Sequence, residues 1–137
     1  MKGRWNIGLG LIFMAGFMLY GFFLVYLRDF APGHEEWAGS YSTGKHFEAR
    51  LAHVHGNLFA LLNILVGWLL LQINLPARKE TWLSILALSG MLMPAGILGE
   101  IYFGLSPVFV LAGALAMTIA ILWLGLEYLR KKNIAHA

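Results

Sequence analysis

The sequence predicts an all-α integral membrane protein, a four-transmembrane-helix bundle with its N- and C-termini both in the cytoplasm. Of the 137 residues, 59% are hydrophobic and only 12% are charged, about half the charge of an ordinary soluble domain. Four apolar runs, Ile7–Leu27, Leu51–Ile73, Trp82–Phe103 and Val108–Leu129, each approach the ~20 residues that cross a bilayer at about 1.5 Å per residue. The basic residues then segregate by loop. Lys2, Arg4, Arg78, Lys79, Arg130, Lys131 and Lys132 share one side, while Arg28, Lys45 and Arg50 lie on the other among Asp29, Glu35, Glu36 and Glu48. That asymmetry is the positive-inside pattern.

One integral membrane domain of residues 1–137 follows, with helices near 7–27, 47–73, 82–103 and 107–129. The expected location is a bacterial inner membrane, with the first and third loops on the periplasmic side. The net charge of +3 reflects topology anchors, and no nucleic-acid partner is expected. With no cysteine in the chain, disulfides, thiolate catalysis, iron–sulfur clusters and thiolate-bound haem or zinc are excluded.

The first apolar run is longer than the h-region of a signal peptide and has no small-residue cleavage site after it, so it is expected to be retained. Gly8, Gly10, Gly16 and Gly21 lie in it among many aromatics, and glycines let helix backbones approach closely. Trp5 and Tyr26 fall near the two interfaces, where amphipathic rings belong. The first loop, Asp29 to Gly44, is rich in turn residues, and its Trp37 and Tyr41 suggest a segment on the headgroup layer. His34 reads as a solvated loop residue. In the third run Pro94 removes a backbone hydrogen bond and predicts a kink near the middle. Ser106 is the expected N-cap of the fourth helix, with Pro107 at its first position. Ala112, Ala116 and Ala120 then line one seam suited to close packing, within the chain or between subunits. Glu127, with Arg130 and Lys131 three and four residues on, reads as a surface ion pair.

The second helix carries the chemistry. Between Lys45 and Trp68 a segment with three histidines, a glutamate and an arginine runs directly into apolar sequence. Ionisable groups placed in hydrocarbon cost about 2.5–3.5 kcal/mol each on insertion scales, so they read as functional. At about 100° per residue, His46, Arg50, His53 and Asn57 form one stripe, with Glu48 and His55 opposite. His53 and His55 are therefore about 200° apart and cannot share one small metal on a regular helix. The third helix returns to the same side, bringing Glu100 to the depth of Arg50 and the histidines. Tyr20, Tyr26 and Tyr102 are candidates for that layer. A buried carboxylate needs a cation, so Glu100 is expected to meet Arg50, His53 or His55 of its own or a neighbouring subunit.

A single helix-borne imidazole and an apolar slot suffice for b-type haem. Lys45, His46 and Arg50 would lie where haem propionates emerge. Structural zinc wants four ligands and a bundle di-iron site several Glu with Glu-x-x-His pairs, which the chain lacks. The plain alternative is that His53, Asn57 and Arg50 only hydrogen-bond neighbouring helices.

Ala52-His53-Val54-His55-Gly56, followed by Asn57 to Asn63, resembles the His-x-His stretch of haem-copper oxidase and nitric-oxide reductase catalytic subunits. There, two histidines on opposite helix faces ligate two haems. The four spans and the Ala-His-x-His-Gly near the outer start of helix two also resemble styrene oxide isomerase, a small membrane enzyme that uses ferric haem b as a Lewis acid on an epoxide. That resemblance implies haem iron on His55 or His53, with His55 preferred for its His-Gly step. Asn57, Tyr102 and Glu100 are then the candidate groups around a small lipophilic substrate, in a homo-oligomer surrounded by membrane lipid. The alternatives are a haem subunit for electron transfer or gas-ligand binding, and a purely structural subunit of a membrane complex.

Overall fold

The computed structural model describes residues 3–134, with side-chain surroundings for residues 3–130. Among the described residues all regular structure is helical. The elements are α1 (Gly3–Asp29), α2 (His34–Gly39), α3 (Gly44–Gln72), α4 (Ala77–Ser89), α5 (Leu92–Phe103) and α6 (Val108–Ile134). Four stretches are long and apolar enough to cross a membrane, α4 and α5 together forming the third. The chain is thus an all-α four-helix bundle and an integral membrane protein, and its four spans return the two ends to the same side. The end carrying α2 is called the α2 end below. Lys2, and the side chains of Lys131 and Lys132, lie outside the described residues.

The spans extend beyond the apolar runs because polar end residues still form helix. α1 starts four residues before Ile7, and α3 begins at Gly44, whose φ of +57° marks a left-handed turn into the helix. Helix α3 is the hub, packing along α1 and also against α5. Its buried positions Ala49, Gly56, Asn63 and Leu70 recur every seven residues, as do Gly3, Gly10, Phe17 and Leu24 on α1. A seven-residue repeat is the period of a left-handed seam between nearly parallel helix axes. Small residues let the seam close. A Cβ on Gly3 would sit 2.3 Å from the Gly67 carbonyl oxygen, and one on Gly10 would sit 2.9 Å from that of Ala60. Of the glycines singled out on α1, Gly10 and Gly21 face α3, while Gly8 and Gly16 have open space beside them.

The third span breaks between Ser89 and Leu92, as Pro94 requires. Pro94 offers no N–H to the carbonyl of Gly90, four residues back, and its ring would clash there. Met93 N–H bonds the Gly90 oxygen instead, at 3.0 Å. α6 crosses at this break, with Gly113 against the backbone of Leu92 and Met93. The packed seam of α6 therefore runs through Gly113, Met117, Ala120 and Leu124, with Ala112 exposed and Ala116 half-buried. The alanine seam is shifted by about a quarter turn, because the close approach is set by the kink in α5. Ser106 caps α6 as expected, its Oγ accepting from Val108 N–H at 3.3 Å.

Three polar residues are wholly inside the bundle towards the terminal end. Asn6 Nδ2 donates to Asn63 Oδ1 at 3.1 Å and to the Ser84 carbonyl at 3.2 Å, and Ser84 Oγ donates to Asn6 Oδ1. Asn63 Nδ2 donates to the carbonyls of Phe59 at 3.1 Å and Ala87 at 2.9 Å. With every amide and hydroxyl paired, the cluster pins α1, α3 and α4 at one register without a desolvated orphan.

Glu127 is not the surface residue its local sequence suggests. It is 6% exposed and accepts from Lys79 Nζ at 2.7 Å and Trp123 Nε1 at 3.2 Å. The expected local pair with Arg130 is also present, at 3.8 Å. The partner comes from α4 because the α4–α6 packing turns the carboxylate inward. Lys79 remains 42% exposed, which screens the pair. Glu127→Gln is therefore expected to cost only about 1 kcal/mol, read as a small fall in detergent melting temperature that Lys79→Met does not deepen.

Candidate functional site

The α2 end gathers most of the ionisable side chains of the apolar spans. His53, on α3, lies against α1. Its Nδ1 donates to the Phe17 carbonyl at 2.8 Å, and its ring occupies the gap left by Gly21, where a Cβ would come within 2.5 Å of Cε1. Since a carbonyl only accepts, Nδ1 carries the proton and Nε2 is left as an acceptor. Asn57 Nδ2 also lies 3.4 Å from that Nδ1, but both atoms are donors. Its real bond is to the His53 carbonyl at 2.9 Å.

His55 stands on the other side of α3, as the helical geometry requires. Its Nδ1 donates to the Leu51 carbonyl at 2.8 Å, and its ring meets Phe59 edge-on at 6.4 Å. It is half-buried. Again Nε2 is the free acceptor.

Closer to the mouth, the loop folds back onto the bundle. His46 is buried, its Nδ1 donating to the Trp37 carbonyl at 2.6 Å and its ring stacked on Trp37 at 4.7 Å. Trp37 packs against the cluster of Leu24, Ala49 and Ile101. It is half-buried at the end of the bundle. Tyr41 covers Arg50, whose guanidinium carbon is 3.5 Å from the ring centroid and whose Nη1 donates to the Tyr41 carbonyl at 3.0 Å. Lys45 and His34 are exposed. Tyr26 is exposed as well, and Arg28 forms a bidentate pair with its neighbour Asp29.

On α5, Ile101 packs with Ala49 and Leu24, which sets α5's last turn level with the first turns of α3. Tyr102 and Tyr20 hydroxyls meet at 3.1 Å, joining α5 to α1. Tyr20 also packs on the cluster that contains Phe17 and Phe59, the aromatic neighbour of His55. Glu100 points elsewhere. It is exposed, and among the described residues its side chain makes no hydrogen bond or ion pair, so neither Arg50 nor a histidine of the same chain pairs with it.

Among the described residues no three His, Asp or Glu side chains converge, so a metal here would rest on one or two protein ligands. Both imidazoles have the arrangement that metal-bound histidine adopts, one ring N–H given to a carbonyl and the other nitrogen free. Space separates them. The cavity at His53 measures about 250 Å³, below the about 300–1,000 Å³ that encloses even a drug-sized ligand. Haem does not fit there within one chain. His55 is half-buried, with the exposed side chains of Val54 and Leu58 beside it on α3.

The sequence pattern missed the supports of these groups. Gly21 and the Phe17 carbonyl seat His53, and Tyr41 seats Arg50. Gly21 was visible as a small residue on the seam side of α1, but which residue it admits depends on the α1–α3 register. Comparison with known protein families, with curated proteins and with solved structures finds no match to this chain.

Proposed function

We propose that the chain is a membrane haem b protein in which His55 Nε2 is the axial ligand and a second copy of the chain closes the open side of α3. The observation that carries this reading is His55 itself. It holds its Nδ1 proton on the Leu51 carbonyl and presents an unpaired acceptor from a half-buried position in an apolar span. Such a group in hydrocarbon calls for a partner. Two further observations favour a homo-oligomer. Glu100 is an exposed carboxylate in the third span, and only 17% of the apolar window of α1 is buried within the chain. The basic terminal end is assigned to the cytoplasm and the α2 end to the outer, periplasmic side of a bacterial inner membrane.

Ferric haem on one imidazole would supply a Lewis-acidic coordination position for a small lipophilic, oxygen-bearing substrate such as an epoxide. The protein's part is to hold that imidazole in one tautomer, through Leu51, and to keep water away with Phe59 and its neighbours. The Tyr20–Tyr102 hydroxyl pair would be the source of a phenolic proton for a substrate oxygen. His53 and His55 face opposite sides of α3, so one chain brings a single imidazole to any one haem. Within one chain that leaves a coordination position for substrate, whereas a second His55 from the neighbouring copy would make the closed, six-coordinate electron carrier.

Absorption spectra of variants purified from haem-replete cells test the assignment. His55→Ala is expected to abolish the Soret band. Gly21→Ala drives a methyl into the His53 ring and leaves His55 alone, so its band is expected to match the wild type. A band lost in Gly21→Ala and kept in His55→Ala would move the ligand to His53. A ferric spectrum unmoved by azide would replace the enzyme with the carrier.

A further inference from the structure

We propose that the cavity between α1 and α3 at the α2 end holds the headgroup of one anionic phospholipid, its phosphodiester bound by Arg50. The walls are Arg28, Tyr41, His46, Arg50 and His53, over an apolar floor that includes Leu24. Arg50 is half-buried and, among the described residues, has no carboxylate within ion-pair distance. Only one of its five N–H donors is engaged, by the Tyr41 carbonyl,. The Tyr41 ring covers one face of the guanidinium and leaves its edge for a planar pair of oxygens, the geometry in which arginine grips phosphate.

Charge narrows the ligand. Asp29 neutralises Arg28 through contacts of 2.6 and 2.8 Å. His46 and His53 each give their Nδ1 proton to a carbonyl. Arg50 is thus the guanidinium lining the cavity that has no carboxylate partner among the described residues, and a phosphodiester monoanion matches its charge. His53 Nε2 adds an acceptor, which suits a headgroup hydroxyl. Phosphatidylglycerol supplies both groups. At about 250 Å³ the space takes a headgroup and leaves the acyl chains along the exposed surface of α1.

Native mass spectrometry of the full chain in detergent tests this with four probes: phosphatidylglycerol, phosphatidylcholine, dioleoylglycerol and inorganic phosphate. Phosphatidylglycerol is expected to bind at least about tenfold more tightly than dioleoylglycerol, which lacks the phosphodiester, given that about 1.4 kcal/mol is tenfold and a charge-assisted contact exceeds that. It is also expected to outbind phosphatidylcholine, whose headgroup offers His53 no hydroxyl, and equal binding of those two would remove His53 from the site. Arg50→Gln is expected to erase the preference and Arg50→Lys to restore part of it. Equal retention of phosphatidylglycerol and dioleoylglycerol by the wild type overturns the proposal, whether or not Arg50→Gln folds. So does unchanged binding by Arg50→Gln. Displacement of the lipid by inorganic phosphate would mark a free-phosphate site and also end the lipid assignment. The readout is lipid mass rather than haem absorption, so this proposal and the His55 assignment fail independently.

Discussion

Gly113→Val is expected to be the most damaging single substitution in the chain. The Cβ of residue 113 would lie 2.1 Å from the Met93 nitrogen and 2.8 Å from the Leu92 carbonyl carbon. Both are backbone atoms of the kinked third span, so no rotamer change relieves the clash. α6 must lift away from α5, opening the contact at Met117 and Gly90 as well. Overpacking usually costs about 1–3 kcal/mol, and a rigid backbone obstacle puts this case at about 3 kcal/mol or above. Gly125→Ala is the control. Nothing lies within 4 Å of its Cβ position, and exchanging glycine for alanine in a helix gains about 0.5–1 kcal/mol. Melting curves in detergent are expected to separate the pair in opposite directions from the wild type. Equal curves for Gly113→Val and wild type would mean that α6 does not cross the break as described.

Asn63→Leu is expected to cost about 3 kcal/mol. It removes two interhelical hydrogen bonds, one from Asn6 and one to the Ala87 carbonyl. Such bonds average about 0.6 kcal/mol in membrane proteins. The larger part is the group left behind. The Ala87 carbonyl keeps the Gly90 N–H at 3.1 Å, but the Asn6 amide hydrogen that Asn63 Oδ1 accepted is left without a partner, and no water is at hand in the hydrocarbon region to replace it. An unsatisfied buried group costs about 1–3 kcal/mol. Asn6→Leu combined with Asn63→Leu removes the donor and acceptor together. The double variant is therefore expected to be less destabilised than the sum of the single ones, and strict additivity would contradict the linked network.

What could be read from the sequence divides by physical cause. The four spans were legible because the bilayer dictates both their length and their polarity. The break before Pro94 follows from the missing N–H and the carbonyl of Gly90. That His53 and His55 face opposite sides of α3 follows from the helical repeat alone. Glu127 was misplaced because its visible neighbours, Arg130 and Lys131, are local, whereas its partner Lys79 is 48 residues away in sequence. The Asn6–Asn63–Ser84 cluster was invisible for the same reason, since each residue is a single small polar group in an apolar run. Which of two histidines has room beside it depends on the gap at Gly21, and so on the α1–α3 register. That register is a property of the packed pair and cannot be read from either helix separately.

One imidazole-held haem per chain at His55, as proposed, would be read from the haem content of the wild-type protein, purified from haem-replete cells and measured as pyridine haemochrome against protein concentration. The expected result is b-type haem at about one per chain, in a species larger than a monomer. Colourless protein, or two haems per chain with both His53 and His55 required, would contradict it.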